Sequence, residues 1–360
     1  MKKAKVSVLI ALCGIMAAVS ACGSQQSSAN GTKKVTGSKG DEYSVTSEAK
    51  VVETDSAKKE YEPYTITLNL ERSGIGQNMK ETFTSAPSHV VVDGDQMVDF
   101  FLDLGLEDRI VGYTRGACLD TVNDFPARDK LHKILDDGVN LKNASKEQIL
   151  ELNTDFMMGW DSLFSEDNFS VDWCLKNNII PYFPYCCSDS ATMEDVYKDY
   201  EVLGHIFGVE DRAQQRIQAM KDTIADVQKT LGDEVYKKPL SVFVYDSGED
   251  APFTACQGVP GDMIRLAGGV SAFSDIKKGW ATPSWEEVVA RDPDVILILD
   301  YNHDTEQKKK FLETNDFTKN LRAVKEGRIY SACCSDMQGS AGSANTIRTM
   351  AEQFYPEKFQ

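Results

Sequence analysis

An eleven-residue pattern occurs twice in this 360-residue chain, as SKEQILELNTD from Ser145 to Asp155 and as SWEEVVARDPD from Ser284 to Asp294. The copies align without a gap: Ser, Glu two places on, Gln or Glu next, two aliphatics, and Asp at the eleventh position. Ser145 with Gln148, and Ser284 with Glu287, fit a capping box, in which hydroxyl and third-position side chain satisfy orphan amide donors, so a helix is expected to start at each Ser. Asp155 and Asp294 lead into FMMGW and VILILD, short apolar runs of the kind buried on both faces of a parallel sheet. A helix, turn and strand unit used twice predicts two lobes of related design.

The chain opens MKKAKVSVLIALCGIMAAVSAC. Lys2, Lys3 and Lys5, the apolar run and the small residues ahead of Cys22 resemble a bacterial lipobox, which implies an export signal over 1–21, cleavage before Cys22 and acylation of Cys22. The competing reading, a membrane-spanning helix, needs ~20 apolar residues, and this run is shorter and ends in a cleavage-like site. Residues 22–60 are rich in Ser, Lys, Gly, Glu and Thr, with Tyr43 as their one aromatic; they predict a flexible tether. Beyond it, 61–360 carries 50 acidic against 30 basic residues. Such a surface repels phosphates, which excludes nucleic acid as a partner and leaves membrane contact to the lipid on Cys22.

From Tyr64 onward short apolar strands alternate with helical stretches, so the expected class is α/β, with mostly parallel sheets flanked by helices in both lobes. The N-terminal lobe is expected over 61–190, connecting helices over 191–235 and the C-terminal lobe over 236–360. Ala213, Ile217, Met220, Ile224, Val227 and Leu231 recur at spacings of four and three, which predicts one long helix from about Arg212 to Leu231 joining the lobes. Ligands of such folds gather in a cleft beyond the carboxyl ends of the strands.

The lipobox, the acidic two-lobed body, the connecting helix and the paired SxE segments occur with DFFLDLGLEDRIVGYT, EQILELNTDFMMG, DYEVLGHIFGVEDRA, EEVVARDPDVILIL and NLRAVKEGRIYS. Together these resemble the helical-backbone class of ABC-transporter substrate-binding proteins over about 85–360. The resemblance implies a monomeric, lipid-anchored extracytoplasmic binding protein that carries an iron-siderophore, haem or a corrinoid such as cobalamin to an ABC permease and its ATPase, with no cofactor of its own. In that family one Glu on each lobe docks against basic pockets of the permease, and by position these match Glu147 and Glu286. The plainer reading is that each acid complements its helix macrodipole.

Strand ends expected to face the cleft offer Tyr113, Arg115, Trp160, Tyr185, Phe253, Trp280, Tyr301 and either Asp336 or Met337, an aromatic lining suited to a large, partly apolar ligand. Arg115, Arg265 or Arg348 could meet carboxylates of that ligand, and His303 is placed to reach it. Cysteines crowd the same loops: Cys118, Cys186, Cys187, Cys256, Cys333 and Cys334, with Cys174 on a helix. The vicinal pairs could contact ligand, form disulfides, pack as small apolar residues or hold a soft metal or cluster. The last option gives a second functional class, an extracytoplasmic redox protein that uses the vicinal cysteines. No GxSxG, HExxH or phosphate-loop motif is present, so the leading reading is binding without a reaction.

Overall fold

The computed structural model describes residues 61–68, 79–114, 139–140, 144–301 and 303–360. The chain divides into Met1–Lys58 and Lys59–Gln360. The first unit, with the expected signal, Cys22 and most of the tether, lies outside the described residues, as do Arg115 and Cys118. No helix among the described residues is long and apolar enough to cross a membrane.

Two parallel sheets form the second unit. Strands β1 (Tyr64–Thr67) and β2 (Lys80–Phe83) pair antiparallel at its start. The N-terminal sheet follows with β3 (Val90–Asp93), β4 (Ile110–Thr114), β5 (Val139–Asn140), β6 (Phe156–Met158) and β7 (Ile180–Tyr182), ordered β5-β4-β3-β6-β7 and parallel throughout. In the C-terminal sheet β8 (Leu240–Tyr245), β10 (Gly269–Ser271), β12 (Val295–Asp300) and β13 (Ile329–Cys333) are parallel in the order β10-β8-β12-β13, while β9 (Thr254–Ala255) and β11 (Trp280–Ala281) form a separate antiparallel pair. The central strands are apolar runs because helices cover both faces: Val90–Val92, Phe156–Met158 and Val295–Leu299 are fully buried.

Helix α1 (Asp95–Asp103) follows β3, and the first repeat copy forms α2 (Lys146–Glu151). After α3 (Val171–Lys176) come α4 (Met193–Phe207) and the 22-residue α5 (Glu210–Leu231), then α6 (Asp233–Lys237) and α7 (Gly258–Leu266). The second copy forms α8 (Trp285–Arg291), ahead of α9 (Thr305–Thr314), α10 (Arg322–Lys325) and α11 (Ser343–Phe354). The buried face of α5 consists of Ala213, Ile217, Met220, Ile224, Val227 and Leu231, the stripe visible in the sequence; the helix itself begins two residues before Arg212. At 1.5 Å per residue it spans about 33 Å.

The repeat has a physical role at four of its positions. Both capping boxes form: Gln148 N–H donates to Ser145 Oγ at 3.3 Å and Glu287 N–H to Ser284 Oγ at 3.2 Å, with the reciprocal bonds at 2.8 Å. The ninth position reverses the chain in left-handed conformation, as Asn153 (φ 53°) and Asp292 (φ 38°), residue types that tolerate it. The closing Asp then receives the first amides of a neighbouring strand segment. Asp155 accepts from Ser88 N–H at 2.7 Å and His89 N–H at 3.0 Å, and Asp294 accepts from Ser241 N–H at 2.8 Å. Each copy thereby locks one helix-to-strand turn onto its sheet.

Candidate ligand cleft

A cavity opens between the carboxyl ends of the two sheets. The N-terminal lobe supplies Trp160 and Asp161, just past β6, and Cys186 to Asp189 beyond β7. The C-terminal lobe supplies Gly258, Val259 and Pro260 from the first turn of α7, Gly279 and Trp280 from the β11 segment, and Gln338. About 470 Å³ of space lies between them, counting solvent at the mouth. Trp280 is braced from outside by Phe253, whose ring stacks on it at 5.2 Å and 17°. One lobe is tied to the other at the cavity edge, where Gly279 N–H donates to Asp189 Oδ1 at 3.1 Å. Nearby, Met193 N–H donates to Asp262 Oδ2 at 3.0 Å.

The cavity floor rests on one buried carboxylate. Asp199 of α4 has no exposed surface; it accepts from Tyr182 Oη at 2.6 Å, from Tyr185 N–H at 2.9 Å and from Cys186 N–H at 2.9 Å. Burial pushes its pKa up to about 6 although the three donors pull it back. This fixes the 3-10 turn Tyr185–Cys187, which carries two cavity-lining thiols.

The structure brings together only part of the residues expected in the cleft. Trp160, Cys186, Cys187 and Trp280 line the cavity, and Phe253 backs it. Tyr185 points elsewhere, its hydroxyl donating to Thr67 O at 3.4 Å and its ring covered by Lys198 Nζ at 3.5 Å. Tyr113 and Met337 are core residues, 3% and 0% exposed, because a central strand and a turn beneath a helix are covered on every side. Tyr301 donates its hydroxyl to Asp246 Oδ1 at 2.5 Å, and His303 is exposed at φ 66°. Cys333 and Asp336 line a different recess with Thr346 and Thr349. Arg265 is paired with Asp262 and Arg348 with Asp226. Sequence reading does not single out Asp161, Asp189, Gln338 or the Gly258–Pro260 turn, in which Gly258 adopts a left-handed φ of 70° that favours glycine.

Three of the cysteines, Cys174, Cys186 and Cys256, have surroundings that favour the neutral thiol. Cys187 and burial push the Cys186 thiol well above its ordinary value, and burial lifts Cys174 to about 12 and Cys256 to about 11. Ligation or redox attack needs the thiolate, which these surroundings disfavour. Cys174, Cys186 and Cys256 form no disulfide, whereas Cys334 is disulfide-bonded. Among the described residues no group of three or more His, Cys, Asp and Glu is arranged to hold a metal ion.

Both expected docking acids stand on the surface in the first turn of their helices, Glu147 on α2 and Glu286 on α8. The Glu147 carboxyl is held below its ordinary range by the helix-start amide and the Ser145 hydroxyl.

Comparison with known proteins gives a consistent picture. The family model described as periplasmic binding protein matches residues 176–332. An uncharacterized ABC transporter substrate-binding lipoprotein of Bacillus subtilis, YvrC, is 25% identical over 308 residues, covering 84% of this chain and 90% of its own. The petrobactin-binding protein YclQ of the same organism is 24% identical, covering 74% and 81%. The crystal structure of a periplasmic binding protein from Veillonella parvula superposes with a TM-score of 0.70 at 27% identity, covering 82% of this chain and 98% of that one.

Proposed function

We propose that this chain, which belongs to the periplasmic binding protein family and is an ABC-type substrate-binding protein, is held outside the cytoplasm by lipid on Cys22 and captures an iron chelate or a corrinoid for delivery to an ABC permease and its ATPase. The observation that carries this reading is the interlobe cavity with one indole from each lobe, Trp160 and Trp280. Two flat apolar walls on separate bodies suit a rigid, partly planar ligand, whose capture buries aromatic surface on both sides. A siderophore, haem or corrinoid has that character, and Asp161, Asp189 and Gln338 offer the few polar groups that orient it. The redox alternative loses support from the buried Cys186, whose surroundings favour the neutral thiol.

In calorimetric titrations with a ferric hydroxamate, a ferric catecholate, haem and cobalamin, one probe is expected to bind saturably. Trp160→Ala and Trp280→Ala are each expected to weaken that probe at least tenfold, about 1.4 kcal/mol. Absence of binding by all four probes below ~100 μM would sink the ligand assignment. Docking is read separately: Glu147→Arg with Glu286→Arg should abolish stimulation of permease ATPase while leaving probe affinity intact.

A further inference from the structure

Five large hydrophobic side chains are exposed among the described residues, and two of them occupy the same place in the two repeat copies: Leu150 at 42% and Val289 at 41%. Scattered exposed apolar residues are ordinary; exposure at one duplicated position on both lobes is not explained by scatter. Nor does the fold require it. The preceding residue of each copy, Ile149 or Val288, is fully buried and anchors the helix, so the next position is free to be polar in a chain of net charge −17.

Each of these aliphatics lies three residues past an exposed glutamate, Leu150 after Glu147 and Val289 after Glu286, a spacing that puts acid and aliphatic on one helix face. The C-terminal copy carries more: Val289 shares a surface groove with Phe317, which is 45% exposed. Ser145 follows strand β5 by five residues, and Ser284 comes four residues after Trp280, which lines the cavity.

We propose that Leu150 and Val289, with Phe317, are apolar anchors of a two-point docking surface for the ABC permease, each seated beside the glutamate of its own lobe. The inference rests on the reading of the chain as an ABC substrate-binding protein. The same acid-plus-aliphatic pair on both lobes fits a partner that presents two like surfaces, each combining basic and apolar character. Magnitudes favour the pairing. Exposed ion pairs contribute little each because water screens them, so two glutamates alone hold a complex weakly, whereas a buried apolar anchor contributes its own area and shields the adjacent charge pair from water.

Surface plasmon resonance on the cognate permease complex in nanodiscs tests this. Leu150→Asn combined with Val289→Asn is expected to weaken docking at least tenfold, Phe317→Ser to weaken it further, and the thermal midpoint to stay unchanged. Val270→Asn, another exposed aliphatic but outside the repeat, is expected to dock as the parent does. Docking by the double variant within twofold of the parent overturns the inference alone; no docking by the parent overturns the functional reading beneath it. Concentration-dependent self-association of the parent that the double variant abolishes would make the face a contact between copies and likewise overturn the inference.

Discussion

Replacing Asp199 with alanine is expected to cost about 6 kcal/mol of stability near pH 4, at roughly 2 kcal/mol for each of three buried donors left without an acceptor. Those donors are the Tyr182 hydroxyl and the Tyr185 and Cys186 amides, and the last two hold the turn that floors the cavity. The cost is expected to depend on pH, with a sign that follows from burial. The folded-state pKa is raised from the ordinary 3.8 to about 6, so the unfolded chain ionises first as pH rises. The favourable contribution is therefore complete below pH ~3.8 and is lost as pH climbs through 6, a loss of about 3 kcal/mol at 1.36 kcal/mol per pKa unit. The alanine variant lacks this slope, so its deficit should shrink to about 3 kcal/mol by pH 7.5. Urea titrations of both proteins at pH 4 and pH 7.5 read the difference directly. A deficit that stays constant or grows with pH would show that Asp199 is not held in a raised-pKa state. Asp199→Asn should be intermediate, since its oxygen still serves Tyr182 and Tyr185 while its amide opposes the Cys186 N–H.

Periodicity and capping carry information that is local, and those parts of the molecule were legible. The α5 stripe, both repeat helices and the buried VILILD strand can be read because each depends on residues within a turn or two of one another. Trp160 could be placed at the cleft because it follows the end of β6; Trp280, expected at a strand end, lies in the short strand β11 and lines the same cavity. The errors have a common cause in packing between distant segments. Tyr113 sits at a strand end yet is 3% exposed, because helices and neighbouring strands enclose that end of a central strand. The adjacent pair Cys186-Cys187 does line the cavity, as its position suggests, but packing leaves both nearly buried, with Cys186 held at Asp199 of α4 and close to Gly339 of the opposite lobe. Asp199 in MEDVYKDYE and Asp99 in DQMVDFFLD read as the polar faces of amphipathic helices, and no periodicity reveals that other elements cover those faces. The buried acids, which govern how stability varies with pH, were therefore missed.

Asp99 supplies the second large effect, and its direction is opposite to the usual cost of a core substitution. The residue lies on α1, is 2% exposed, and its Oδ2 has no hydrogen-bond partner. Burial raises its pKa well above the ordinary value, and the charges of Asp336 across the lobe boundary and of Asp95 and Asp103 on its own helix raise it further; only Ser340 opposes them. The one cation in the cluster, Arg216 of α5, is committed to Asp103 at 2.5 Å and to Ala341 O at 3.0 Å, with the Tyr200 hydroxyl completing Asp103 at 2.8 Å. A raised folded pKa again means stability present in acid and lost as pH rises through it. Asp99→Asn removes the ionisation and keeps the volume, so the variant is expected to match the parent near pH 4 and to exceed it at pH 8, by about 1.4 kcal/mol for each pH unit over which the unfolded carboxyl is ionised and the folded one is not. Because Asp336 follows the last strand of the C-terminal sheet while Asp99 belongs to the N-terminal lobe, the same change should hold the lobes together more firmly at pH 8. Thermal midpoints at the two pH values, together with the distance between spin labels placed on the two lobes, check both parts. An Asn variant destabilised equally at pH 4 and pH 8 would mean that the Asp99 carboxyl is held by contacts its charge does not oppose.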